Sequence, residues 1–199
     1  MAENLLHAAS RGAEFGLIIE LLKHGDIPYE TDANRWTALH HSSEKGAEAS
    51  VKAMLDFGAV VDAESKDGKT PLHLASIEGH LPVVTALLDK SADINAEDKD
   101  SQTPLHKAAM NGHEEVVRTL LARGARVDAS LADIKFHSRT ALDLAEGEGH
   151  VAVAAMLRRA SKEGAEQGCG GVPSDLRAAR FGRGVTGSAG SSSGGSSGR

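Results

Sequence analysis

The sequence holds one cysteine, Cys169, one tryptophan and one tyrosine, and aromatic residues make up only 3% of its 199 positions. A single thiol excludes an intramolecular disulfide and cannot build a thiolate zinc site. The shortage of aromatics excludes a large aromatic core. The apolar content comes mainly from Ala, Leu and Val, which suits thin layers of closely packed helices. No uninterrupted apolar run approaches the roughly 20 residues that a membrane helix needs. The opening stretch MAENLLHAASRG also lacks a basic segment followed by an apolar one. A globular chain with no membrane association is expected, in the cytoplasm, the nucleus or both.

Positive charge is scarce over most of the chain. The formal net charge is −6. Residues 169–199 carry Arg177, Arg180, Arg183 and Arg199 against Asp175, a net +3, which leaves −9 on residues 1–168. An acidic body is a poor match for nucleic acid, because neutralising phosphates needs a basic surface. The balance points to protein partners.

What the chain does have is a period. TALH begins at Thr37, TPLH at Thr70, TPLH at Thr103 and TALD at Thr140, spaced 33, 33 and 37 residues apart. Gly46, Gly79, Gly112 and Gly149 each follow nine residues after the threonine, and Met54-Leu55, Leu87-Leu88 and Leu120-Leu121 recur with the same period. The histidines fall into two repeated slots, one holding His40, His73 and His106, the other His80, His113 and His150. A catalytic site is normally built once, so side chains replicated in every unit answer a structural need that each unit shares. Their ring nitrogens are expected to bond backbone groups in adjacent turns.

Each unit reads as helix, turn, helix. Thr70 suits an N-cap, with Pro71 at the first helical position, where its missing N–H costs nothing. Leu72, Ala75 and Ser76 are spaced to face a neighbour, and Gly79 ends the short helix. Leu81, Val83, Val84, Leu87 and Leu88 then form an apolar stripe on a second helix, and Asp67-Gly68 marks a tight turn between units. One unit cannot bury its stripe alone, so consecutive units must stack.

The segments TPLHLASIEGHLPVVTALLDKSADINA (70–96) and TPLHKAAMNGHEEVVRTLLARGARVDA (103–129) resemble the ankyrin repeat, and the resemblance extends over about residues 4–162. It implies an all-α solenoid of five stacked repeats at about 1–32, 33–65, 66–98, 99–131 and 136–162. Residues 163–199 are expected to form a disordered Gly/Ser-rich tail, because residues 169–199 hold nine Gly and seven Ser in 31 positions. Four departures stand out. The first unit lacks the TPLH turn and has an extra residue between Gly12 and Leu22. In the second unit Arg35 replaces the turn glycine and Ser50 a valine, which should make it less stable. Four residues are inserted within Ser130–Ser138. In the fifth unit Asp143 replaces the turn histidine, and Arg158 stands where earlier units have leucine, so the array should end there.

The resemblance further implies a non-catalytic protein–protein interaction module, as adaptor, scaffold, inhibitor or assembly chaperone, with no cofactor, metal or small-molecule substrate. Recognition is expected on a concave face built from turn tips and exposed ends of the first helices. The tip residues are Asn34 and Trp36, Asp67 and Lys69, Asp100 and Gln102, and His137 and Arg139. The helix positions include Ile77, Glu78, Met110 and Asn111. Trp36 either offers an exposed aromatic to a partner or folds back over Tyr29 or the adjoining turn. Ile77 and Met110 either form an apolar strip or pack between repeats. Two residues are candidates for modification: Asn95, within a leucine-plus-acidic LLDKSADIN stretch, and Ser161, after Arg158-Arg159. Asn95 has the alternative role of bonding its own turn. An enzyme would need a constellation of nucleophile, base and oxyanion donors outside the repeated slots, and none is present. The remaining alternative is a nucleic-acid or membrane-surface contact through the basic tail. A monomer is expected.

Overall fold

A computed structural model describes residues 5–10, 12, 15–25, 30–128 and 140–168. Among them ten helices follow one another in pairs: α1 (Leu5–Ser10) with α2 (Phe15–Lys23), α3 (Ala38–Glu44) with α4 (Glu48–Asp56), α5 (Pro71–Glu78) with α6 (Leu81–Asp89), α7 (Pro104–Met110) with α8 (Glu114–Ala122), and α9 (Ala141–Gly147) with α10 (Val151–Gly168). The described residues contain no strand, only an isolated bridge between Thr31 and Thr37.

Two layers result. The first helices of the pairs stack in the order α1, α3, α5, α7, α9, and α2, α4, α6 and α8 stack behind them. This is the all-α solenoid implied by the resemblance. The first layer can pack closely because its facing residues are small: Ala38, Ala75, Ser76, Ala108, Ala109, Ala141 and Ala145 are all buried. Leu39, Leu72 and Leu105 fill the space behind them, against Val51, Met54, Val83, Val84, Leu87, Val116, Val117 and Leu120 of the second layer. Nearly every apolar contact therefore lies within a unit or with its immediate neighbour, and stability is built up junction by junction.

The first helices start where the sequence places them. Thr37, Thr70, Thr103 and Thr140 sit at the N-caps in extended conformation, and Gly79 ends α5 in the left-handed region at φ +75°. Of the departures, Ser50 is buried in α4, and Arg35 takes the left-handed conformation of the glycine it replaces, at φ 60°. Arg158 is exposed and pairs with Glu146 at 2.8 Å, while its neighbour Leu157 is fully buried. The insertion and Phe136 lie outside the described residues, as does the chain from Cys169 onward.

The chain divides into a first unit, Met1–Gly164, which holds the stack, and a second from Ala165, of which only 165–168 are described. The last helix, α10, runs past the boundary at 162 expected from sequence and ends at Gly168. Ala, Glu, Lys and Gln in this stretch are good helix formers, and extending a helix already anchored by Val153 and Leu157 costs far less than starting one.

Candidate functional site at the finger tips and helix ends

Each first helix is preceded by a hairpin-like turn, here called a finger, and the histidines hold these fingers in line. His40 Nδ1 accepts from the Thr37 backbone N–H at 3.1 Å and lies 2.9 Å from Thr37 Oγ1. Its Nε2 lies 3.0 Å from the carbonyl of Lys69, in the next finger. His73 repeats the arrangement with Thr70 and with the carbonyl of Gln102 at 2.9 Å. His106 repeats the capping half with Thr103. Because the backbone N–H must donate, Nδ1 is bare and Nε2 carries the proton. Burial pulls His40 down to about 4, against the opposing pull of the Lys69 carbonyl, and burial likewise lowers His73. His40 and His73 are neutral struts with both nitrogens committed. They are unavailable for proton transfer or metal ligation.

The second histidine slot works between units in another way. His80, His113 and His150 place Nε2 at 2.9, 2.7 and 3.0 Å from the carbonyls of Glu44, Ile77 and Met110 in the preceding unit. Their rings lie over Gly46, Gly79 and Gly112 so closely that an added Cβ would sit 2.5–2.7 Å from Nδ1. The glycines therefore provide left-handed backbone and room for the ring at once. Gly149, which no later unit covers among the described residues, has nothing within 4 Å. In the fifth unit Asp143 keeps only the capping half of the histidine's work, its Oδ2 accepting from the Thr140 N–H at 2.8 Å.

The fingers carry a lock that the sequence reading missed. Asp32 Oδ1 accepts from the N–H groups of Asn34 and Trp36, Ser65 Oγ from those of Asp67 and Lys69, and Asp98 Oδ1 from those of Asp100 and Gln102. The second oxygen of each aspartate then reaches the first helix: Asp32 Oδ2 lies 3.2 Å from His41 Nε2, and Asp98 Oδ2 lies 2.6 Å from the buried Lys107 Nζ. Lys107 also donates to Gln102 Oε1. Burial would raise the Asp98 carboxyl, but the Lys107 ammonium and the Gln102 and Asp100 N–H groups outweigh it and hold it below the ordinary carboxylate range. For Asp32, burial is outweighed in the same way by the N–H groups of Trp36 and Asn34 and by His41. Where serine replaces the aspartate, the helix position is Leu74 and no ion pair is needed. That exchange, always nine residues apart, was the available signal.

Successive fingers also bond directly, the Lys66 N–H to the Asn34 carbonyl at 2.8 Å and the Lys99 N–H to the Asp67 carbonyl at 3.0 Å. This scaffold brings most of the expected site residues onto one row. Asn34, Asp67 and Asp100 are exposed at the tips, and Lys69 and Gln102 are half-buried. Trp36 is half-buried against the first helix, its ring stacked on His40 at a centroid distance of 6.1 Å and tilted on His41 at 5.0 Å. Glu78 and Asn111 are exposed at the helix ends, beside the half-buried Ile77 and Met110. His137 and Arg139 lie outside the described residues.

The two candidates for modification are placed apart from this row. Asn95 is half-buried, and its Oδ1 accepts from the Arg126 N–H of the next unit at 2.9 Å. Asp62, one period earlier, accepts likewise from the Asp93 N–H at 3.0 Å. Ser161 lies inside α10, with Oγ bonded to the Leu157 carbonyl at 3.0 Å.

Among the described residues no group of three or more His, Cys, Asp or Glu could hold a metal ion, and no helix is long and apolar enough to cross a membrane. No curated protein matches the chain. The family described as "Ankyrin repeats (3 copies)" matches residues 5–98 and 90–168. Ankyrin repeats are generally protein–protein interaction modules and are typically not enzymes. The match spans the whole stack of helix pairs and agrees with its Thr-His caps and Gly-His sockets; the chain belongs to the ankyrin repeat family.

Proposed function

We propose that this protein is a non-catalytic adaptor, scaffold, inhibitor or assembly chaperone that binds a partner protein as a monomer, through the finger tips and exposed ends of α3, α5 and α7. The observation that carries this reading is the finger row itself. Its backbone is fixed by side-chain caps, by struts from His40 and His73 and by finger-to-finger bonds, while Asn34, Asp67 and Asp100 point no polar group into the core. A surface ordered before binding loses little conformational entropy on association. The protein acts in the cytoplasm, the nucleus or both.

The test is affinity capture from cell lysate, followed by identification of bound proteins. The intact chain is compared with a Trp36→Ala/Lys69→Ala/Gln102→Ala variant whose helical circular dichroism is unchanged. Loss of a specific partner from the variant supports recognition on this face. Equal capture by both proteins would place it elsewhere.

A further inference from the structure

Lys45, Glu78, Asn111 and Glu148 occupy one repeated slot, each directly before a left-handed glycine at the end of a first helix. Only Asn111 brings a carboxamide there. The chain's other asparagines, Asn4, Asn34 and Asn95, precede Leu, Arg and Ala. The backbone nitrogen that follows an asparagine can attack the side-chain carboxamide, and a side chain on the attacking residue hinders its approach. Glycine, without a Cβ, is the least hindered neighbour. Asp67 also precedes a glycine, but an ionised carboxylate is a far poorer electrophile than an amide.

The surroundings of Asn111 decide when that attack can occur. Asn111 is exposed and caps the C-terminal end of α7 at φ −94° and ψ 0°. Its Nδ2 donates to the Lys107 carbonyl at 2.9 Å, and the Gly112 N–H donates to the Ala109 carbonyl at 3.3 Å. Both reacting groups are therefore engaged in the last turn of the helix, and that turn must open before the nitrogen can reach Cγ. An open cleft of about 340 Å³ beside Gly112, lined also by Glu114 and Glu115, admits the water that completes the reaction. Across the junction the His150 ring lies over Gly112, and its Nε2 donates to the Met110 carbonyl at 3.0 Å, tying the same turn shut.

We propose that Asn111 is a site of spontaneous deamidation, gated by opening of the last turn of α7, and that its isoaspartate product unseats His150 from the Gly112 socket. The inference goes beyond the recognition reading and does not depend on it. In the open turn, base removes the Gly112 amide proton and the nitrogen attacks Asn111 Cγ. The N–Cγ bond forms, the Cγ–Nδ2 bond breaks, and Nδ2 takes a proton from water and leaves as ammonia. Water then opens the succinimide ring at either carbonyl, giving aspartate or isoaspartate with no change of oxidation state. In isoaspartate the main chain runs through Cγ and is a methylene longer between Met110 and Gly112, the two residues that His150 contacts. The new carboxylate also stands at the negative end of the α7 dipole, near Glu114 and Glu115. Both changes loosen the junction between α7 and α9.

The experiment ages the full chain in warm, mildly alkaline buffer, natively and in urea, and locates isoaspartate by peptide mapping with enzymatic methyl-ester labelling. Wild type, Asn111→Gln and His150→Ala are compared. Isoaspartate should accumulate at Asn111 ahead of every other asparagine, and more slowly in the native chain than in urea. Removing the His150 hydrogen bond should raise the native rate about fivefold and leave the rate in urea unchanged. Amide exchange around His150 should quicken in aged wild type and stay constant in aged Asn111→Gln, whose longer side chain closes the ring poorly. No isoaspartate at Asn111 in the native chain, or another asparagine reacting as fast, would overturn the site. Equal rates in the native chain and in urea, or no response to His150→Ala, would overturn the gating. Unchanged exchange in aged wild type would overturn the loss of the socket.

Discussion

The junctions among the second, third and fourth helix pairs are closed by polar groups at every level, whereas the junction between the first and second pairs lacks two of those closures. Where His80 and His113 drop into the preceding glycine sockets, the second pair has Ala47, and Gly12 faces open space. Where Lys90 and Arg123 reach back to Asp56 and Asp89, the second pair has Phe57, about half exposed. Yet α1 stacks on α3 and α2 on α4 as later helices do, and Leu5, Ala8, Ile18 and Leu22 are buried. The apolar layers are sufficient to set the stack, and the polar rungs add registration and stability to it. The first junction should open before the inner ones, which gives the array a polarity of stability that its repeated sequence conceals.

The socket glycines break this comparison most strongly. In Gly79→Ala the new Cβ meets the His113 ring at 2.5 Å while the backbone stays left-handed. Left-handed strain of roughly 1 kcal/mol and overpacking of 1–3 kcal/mol predict a loss of about 3 kcal/mol. Gly149→Ala has the same backbone conformation and open space, so it should lose only about 1 kcal/mol. Urea unfolding of the two variants measures the difference. Equal losses would show that the histidine ring moves aside freely and that the socket is not a constraint.

The struts come next, through pH. His40 titrates at about 4 when folded against the ordinary 6.5. Between these values the unfolded chain binds a proton that the folded chain does not. Stability is therefore full above pH 6.5 and falls as the pH drops toward 4, by about 3 kcal/mol for this residue. His73 contributes in the same direction. Asp32 and Asp98, held below the ordinary carboxylate value of 3.8, lose their contributions only at lower pH. Unfolding free energies of the wild type and His40→Gln across pH 7 to 4 should converge as the pH falls. Parallel curves would mean that His40 is not the group being protonated.

The helix pairs were legible because thirty-three-residue spacing survives substitution at single sites: Thr-x-Leu-His, Gly-His and the paired leucines each mark the same geometry. Asp143 was visible as a substitution, and its capping role follows from position alone. The finger lock was not legible, because its partners differ between units, Asp32 with His41 and Asp98 with Lys107, with Ser65 and Leu74 between them. The aspartate recurs only in alternate units and its helix partner changes each time, so the nine-residue offset was a weak signal until the coordinates brought turn against helix. The extension of α10 was hidden for another reason. Ser161-Lys-Glu-Gly-Ala-Glu-Gln-Gly168 has linker-like composition, and its helicity depends on the packed turns before it.

The smallest effect separates backbone strain from chain entropy. Arg35→Gly relieves left-handed strain at an exposed position, so the second unit should gain up to about 1 kcal/mol. The expected sign is opposite to that of an ordinary glycine substitution, which loosens the unfolded chain and costs a few tenths to about 1 kcal/mol. Amide exchange across α3 and α4 resolves the two: slower exchange in the variant means that strain dominates, and faster exchange means that chain entropy does. Ser101 holds the same left-handed position in a later finger, at φ 57°, so Ser101→Gly should shift exchange in the fourth unit with the same sign if strain dominates.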